Sequence, residues 1–179
     1  MLVAPEAVAE GLERIAKEIA ERDASEDLAL VGIRRGGEPV AQQLARLIGA
    51  RTGQIILLGN VDISLYRDDA STALPNPLIG PSHIPFNLEG RRVVLVDDVL
   101  YTGRTIRAAL DALLDYGRPR RIELCVVADR GGRELPIQPD YVIAQTQVEN
   151  ADRVEVVADD ENLCVVRRTT HAPASGGGP

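Results

Sequence analysis

The stretch Arg92-Val93-Val94-Leu95-Val96-Asp97-Asp98-Val99-Leu100-Tyr101-Thr102-Gly103-Arg104-Thr105 holds a strand, a loop and the start of a helix. Val93 to Val96 form an uninterrupted apolar run with polar residues on both sides, the pattern of a strand buried on both faces. Two adjacent carboxylates, Asp97 and Asp98, end the run. After the Thr-Gly-x-Thr loop, Ile106, Ala109, Leu110, Leu113 and Leu114 recur at helical spacing. Gly117 and Pro119 then stop the helix. A strand that feeds a glycine- and hydroxyl-bearing loop at a helix N-terminus makes an anion site, because the first amides of the helix have no intrahelical partner and its dipole favours negative charge.

Thr102 and Thr105 offer hydroxyl donors to a phosphate, and Gly103 lets the backbone approach it closely. Asp97 and Asp98 suit either sugar hydroxyls or a hard cation with oxygen ligands. Two other readings stay open on these residues alone. The acids of a doubly wound domain are sometimes only solvated or helix-capping, and a response-regulator-like aspartate pocket has similar ingredients.

A chain of 179 residues that is 45% hydrophobic and 26% charged fits one α/β domain with a full core. No apolar run approaches a membrane span, and Met1 to Pro5 lack the regions of a signal peptide, so a cytoplasmic protein without membrane contact is expected. A net charge of -7 argues against broad non-specific nucleic-acid binding, though not against a local basic patch. With only His83 and His171, a histidine triad or a zinc site is disfavoured. Cys125 and Cys164 lie in apolar runs and read as small core residues.

From the N-terminus, Pro5 and then Val8, Leu12, Ile15 and Ile19 mark an amphipathic helix to about Arg22. Leu28 to Ile33 is a short buried strand, followed by the loop Arg34-Arg35-Gly36-Gly37 and a helix through Val40, Leu44 and Ile48. The strand–glycine loop–helix unit therefore occurs twice, and ligands of open α/β sheets bind at the carboxyl ends of the strands. Two such loops suit a ligand with more than one phosphate. Ile55 to Leu58 and Val61 to Tyr66 read as a hairpin turning at Gly59-Asn60. Residues 67–85 are polar, rich in Pro and Gly, and without period, as in a functional lid or a disordered loop. Ile122 to Ala128 is a further strand, with Asp129-Arg130-Gly131-Gly132-Arg133 at its end. Short strands are expected at 140–144, 153–157 and 163–166, and the tail 172–179 should be disordered, leaving residues 1–171 as one domain.

The segment Val93 to Thr105 resembles the PRPP-binding signature of the type I phosphoribosyltransferases. Its Val-Leu-Tyr-Thr-Gly-Arg-Thr ending is similar to the PyrR branch, whose members combine uracil phosphoribosyltransferase activity with regulation of pyrimidine operons. Asp62-Ile63-Ser64-Leu65-Tyr66-Arg67-Asp68-Asp69 and Asp129-Arg130-Gly131-Gly132-Arg133-Glu134-Leu135-Pro136 resemble the same branch. The likeness runs from about Leu12 to about Tyr141.

This resemblance implies a doubly wound, mostly parallel sheet with a small hood and a flexible lid. It implies conversion of uracil and PRPP to UMP and pyrophosphate in pyrimidine salvage, with Mg²⁺ bound alongside PRPP. Asp97, Asp98 and Arg67 would be catalytic, and Asp97 and Asp98 would position the metal directly or through water. Tyr101, Thr102, Gly103, Arg104 and Thr105 would hold the 5′-phosphate. Arg34, Arg35, Gly36 and Gly37 would address pyrophosphate, while Ala128, Asp129 and Arg130 would face the base. Tyr66, Arg67 and Asp68 would form the stem of the lid. Family members are homodimers or homotetramers.

PyrR proteins also bind pyr leader mRNA through a basic face. Arg14, Lys17, Arg22 and Arg133 are the candidate RNA contacts here. The chain departs from the family pattern at Glu13 and Lys17, where Thr and His are usual, and at Gly132 in place of His. It also has Gln138 and Ala144 where basic residues are usual. Fewer cations and a carboxylate at position 13 imply weaker counterion release, hence weakened or lost RNA binding. In the first loop, Arg35-Gly36-Gly37 stands where Thr-Arg-Gly is usual, which leaves the choice between the two arginines open. Two further readings are a non-catalytic, nucleotide-sensing RNA attenuation regulator and a phosphoribosyltransferase for another base.

Overall fold

The computed structural model describes residues 1–22, 27–66, 82–148, 152–159 and 162–169. Along the chain run α1 (Pro5–Arg22), β1 (Leu28–Ile33), α2 (Gly37–Thr52), β2 (Leu57–Val61), β3 (Arg92–Leu100), α3 (Arg104–Leu114), β4 (Arg121–Asp129), β5 (Tyr141–Gln145), β6 (Asp152–Asp159) and β7 (Asn162–Thr169). The five strands β1 to β5 form one sheet in the order β2-β1-β3-β4-β5, every pair parallel. β6 and β7 form a separate antiparallel pair that meets the N-terminus through a bridge between Val3 and Val165.

Apolar runs make the central strands because both faces of the sheet are covered. On one face, Leu28, Leu30, Val94, Val96, Cys125 and Val127 pack with Val8, Leu12, Ile15 and Ile19 of α1 and with Val40 and Leu44 of α2. On the other, Val31, Ile33, Val93, Leu95 and Val126 pack with Ile106, Ala109 and Leu113 of α3. β3 lies at the centre, and its neighbours are in register with Gly32↔Val96 on one side and Asp97↔Val126 and Leu100↔Asp129 on the other. The carboxyl ends of β1, β3 and β4 therefore share one edge.

The hairpin expected at Gly59-Asn60 does not form. Gly59 and Asn60 lie inside β2, which pairs in parallel with β1 from Ala29↔Leu57 to Ile33↔Val61. A glycine suits position 59 for another reason: a Cβ there would lie 3.0 Å from the carbonyl oxygen of His83, whose backbone bridges Asn60. Beyond Val61 the chain turns, with the Tyr66 amide donating to the Ile63 carbonyl at 2.9 Å. Arg67, Asp68 and most of the expected lid lie outside the described residues, as does the tail 172–179. No helix among the described residues is long and apolar enough to cross a membrane.

At the edge opposite the loops, the sheet holds a buried polar network. Arg92 and Glu123 are 2% and 1% exposed, and Arg92 Nε donates to Glu123 Oε2 at 2.9 Å. Arg92 also donates to the Ile19 carbonyl and the Tyr141 hydroxyl, both at 3.0 Å. Arg22 and Arg121 reach the other oxygen of Glu123 at 3.3 and 2.9 Å. Burial pushes the Glu123 carboxyl up, but the hydrogen bonds from Arg92 and Arg22 and the charges of Arg92 and Arg121 outweigh it and hold the group below its ordinary value.

Candidate active site

β3 delivers Asp97 and Asp98 to the functional edge. Asp97 is buried and Asp98 half-buried. The Asp98 amide donates to Asp97 Oδ1 at 3.0 Å, and the Val99 amide to Asp98 Oδ1 at 2.8 Å. Gly103, at φ 91°, turns the chain into α3, and only glycine adopts that conformation without strain. The Thr102 hydroxyl accepts from the Arg104 amide at 3.3 Å, and the first turn of α3 contains no acid to offset the positive end of its dipole. The loop encloses a cavity of about 360 Å³ lined by Val99 to Ile106 and by Glu134. Tyr101, Thr102, Gly103, Arg104 and Thr105, the five residues expected to hold a 5′-phosphate, all line this cavity.

The first loop leaves β1 through a cis Arg34–Arg35 peptide, a feature without any signal in the sequence. Its glycines are explained by what they touch. A Cβ at Gly37 would lie 2.0 Å from the Val96 carbonyl oxygen, and one at Gly36 2.3 Å from the Asp98 carboxylate. The loop after β1 and the β3 acids are therefore in direct contact. Arg34 is half-buried, with Nε 4.0 Å from Glu38 Oε2, whereas Arg35 is exposed.

The third loop follows β4. Ala128 is fully buried beside Val99, and Asp129 accepts hydrogen bonds from Arg133 Nη2 at 2.7 Å and from the Gly131 amide at 3.0 Å. Burial raises the Asp129 carboxyl, and these two bonds with the Arg133 charge overcome it, so it stays below its ordinary value. The Arg130 guanidinium stacks on the Tyr101 ring, 3.9 Å from the centroid. Its Nη2 is buried and has no hydrogen-bond partner among the described residues. Gly132, at φ 74°, has no room for a side chain: its Cβ would lie 2.5 Å from the same ring.

Glu134 has no role readable from the sequence, yet it accepts a 2.5 Å bond from Arg104 Nε, and both residues line the cavity. The pairing spans thirty positions, so local spacing carries no sign of it.

The four candidate RNA contacts are differently engaged. Arg14 donates to the Val142 carbonyl at 2.9 Å, and exposed Lys17 lies 3.9 Å from Glu21. Arg22 stacks over Tyr141 and reaches Glu123. Arg133 is drawn into the protein, with a side chain 16% exposed and bonds to Asp129, Tyr101 and Ile137.

The adjacent carboxylates fit a hard divalent cation. Magnesium dehydrates reluctantly and is commonly held by one or two carboxylates plus substrate oxygens and water. Among the described residues, no group of three or more His, Cys, Asp or Glu side chains gathers to hold a metal unaided, so the remaining ligands would come from substrate and water.

Fold and site together have the make-up of a phosphoribosyltransferase, and residues 1–162 match the family model described as Phosphoribosyl transferase domain. Among solved structures, a hypoxanthine phosphoribosyl transferase of Trypanosoma cruzi superposes with TM-score 0.70 at 18% identity, covering 93% of this chain and 90% of that one. A hypoxanthine-guanine phosphoribosyltransferase of Bacillus anthracis gives TM-score 0.66 at 19% identity, covering 83% and 82%. These establish the fold. Sequence likeness is closer to proteins named Bifunctional protein PyrR. That of Roseiflexus sp. (strain RS-1) is 50% identical over 162 residues, 87% of this chain and 88% of the relative. That of Thermus thermophilus is 48% identical over 161 residues, covering 89% and 88%. The chain belongs to the PyrR family of phosphoribosyltransferases.

Proposed function

We propose that the chain displaces pyrophosphate from C1 of PRPP with a nitrogen of uracil, giving UMP. The observation that carries this reading is the meeting of three loops at one sheet edge. Gly36 abuts Asp98, and the Glu134 and Leu135 amides bond the Thr102 carbonyl at 3.0 and 3.1 Å. One ligand bearing a 5′-phosphate, a ribose, a pyrophosphate and an incoming base would fill such an arrangement.

Each loop has its own part. The amides at the start of α3, with Thr102, Gly103 and Thr105, hold the 5′-phosphate, and Tyr101 and Arg104 wall the cradle. Asp97 and Asp98 orient the ribose hydroxyls, and they are the residues that would hold Mg²⁺. When bound, the metal supplies positive charge against the leaving group. Gly36 and Gly37 present backbone to pyrophosphate. Of the two arginines, exposed Arg35 is the one assigned to it, because Arg34 is half-buried beside Glu38. Arg67 completes the catalytic set with Asp97 and Asp98. Ala128, Asp129 and Arg130 face the base, with the Arg130 guanidinium held against the Tyr101 ring. No protein nucleophile is required: binding that fixes both reactants and excludes water brings about the displacement. A cytoplasmic homodimer or homotetramer is the assembly that goes with this reading.

Assays with PRPP and a panel of bases test it. Turnover with uracil is expected, and turnover with a purine but none with uracil would overturn it.

The regulatory role is read as weakened. Glu13 of α1 ion-pairs with Arg51 of α2 at 2.6 Å, and Arg133 is engaged inside the protein. Electrophoretic shifts with the cognate pyr leader should show no complex at sub-micromolar protein, and a complex there would restore the RNA role.

A further inference from the structure

One guanidinium joins the phosphate loop to the base-side loop. Arg133 Nη1 donates to the Tyr101 carbonyl at 3.0 Å, Nη2 to Asp129 Oδ2 at 2.7 Å, and Nε to the Ile137 carbonyl at 2.8 Å. Each of its three nitrogens therefore has a protein acceptor, and the three acceptors lie on the phosphate loop, at the end of β4, and beyond the base-side loop. The same seam carries the Arg130 amide on the Leu100 carbonyl at 3.0 Å and the Arg130–Tyr101 stack. Leu135 and Ile137 side chains stand 3.4 Å from where a Cβ of Gly103 would lie.

We propose that Arg133 is a positioning residue that makes the phosphate loop and the base-side loop one mechanical unit, so that filling the phosphate cradle organises the base pocket. This rests on the functional reading above and deepens it. A planar fork with donors in fixed directions can hold three acceptors at once, which a lysine ammonium on a flexible stem cannot. Anything bound in the cradle restrains Tyr101 and Thr102. Through Arg133 and the Thr102 carbonyl the restraint passes to residues 129–137, which the free enzyme would otherwise have to order when the base arrives. Such coupling is reciprocal, and it commonly changes affinity by about five- to 150-fold.

The test compares wild type with Arg133→Ala and Arg133→Lys. In wild type, saturating ribose 5-phosphate should tighten uracil binding by about five- to 150-fold, whereas in both variants the tightening should fall below about threefold while ribose 5-phosphate alone binds as in wild type, a pattern that general loosening would not produce. No tightening in wild type, tightening retained in either variant, or loss of ribose 5-phosphate binding itself would overturn the proposal. Hydrogen exchange of the wild-type protein decides the matter independently of folding in the variants. Saturating ribose 5-phosphate, which lacks the base, should slow exchange at residues 131–137 as well as 102–106. Protection confined to 102–106 would contradict the coupling. If wild type made no UMP from uracil, the substrate assignment would fall while the exchange experiment still reported on the seam.

Discussion

A methyl group at Gly36 and one at Gly37 would meet very different neighbours. At Gly37 the obstacle is the Val96 carbonyl oxygen, a backbone atom in the central strand that cannot step aside. Gly37→Ala should lose about 1–3 kcal/mol by chemical denaturation, the usual cost of forcing extra volume into packed surroundings. At Gly36 the obstacle is the end of the Asp98 side chain, which can rotate away. Gly36→Ala should therefore keep most of its stability and lose turnover, because the displaced carboxylate is the one proposed to hold the ribose and metal. Equal loss of stability in the two variants would contradict this. The glycines are visible in the sequence, and their position after a strand is enough to suggest an anion loop. What each one makes room for is not visible there, because Val96 and Asp98 lie some sixty residues away. Glu134 escapes a sequence reading for the same reason.

Among the elements, β3 and β4 do two jobs at their two ends. Their carboxyl ends carry the site, and their amino ends carry the buried Arg92–Glu123 pair. Glu123→Gln leaves Arg92 buried without its charge partner and should cost about 3–5 kcal/mol at neutral pH. Because the folded Glu123 carboxyl is held below its ordinary value, its contribution is complete above the unfolded value and is lost as pH falls through the folded one. The stability gap between wild type and Glu123→Gln, followed by urea unfolding, should therefore narrow on acidification, and a constant gap would contradict the assignment. Cys125, on β4, is fully buried, and burial pushes its thiol up to about 12. It should resist thiol reagents in the native protein at pH 8 and react once the protein is unfolded. Strand positions are legible because doubly buried strands read as apolar runs, and β1 spans the expected residues 28–33. β2 is the exception, since its sequence reads as half of a hairpin. Gly-Asn is a strong turn signal locally, but parallel pairing with β1 outweighs it, because the partner strand supplies the ladder for Gly59 and Asn60.

At the scale of the molecule, the sheet order β2-β1-β3-β4-β5 turns local motifs into a site. With β1 and β4 on either side of β3, the loops that follow these three strands fall side by side, as ligand crevices of open α/β sheets do. Two strand–loop–helix units and a third loop are readable in the sequence, so the edge itself is predictable. The seam between the loops is not, because it depends on Arg133 folding back onto Tyr101 and Asp129. That seam also bears on the balance of the two family roles: Arg133 donates to Tyr101, Asp129 and Ile137, and its guanidinium is correspondingly less available to an RNA phosphate. The central claim, that Asp97 and its surroundings form a phosphoribosyl-transfer site, is tested most directly by the initial rate of UMP formation from PRPP and uracil in Asp97→Asn. Loss of a preorganised charge at the reacting ribose should lower turnover by about 10²–10³ with the fold intact. Turnover equal to wild type would contradict it.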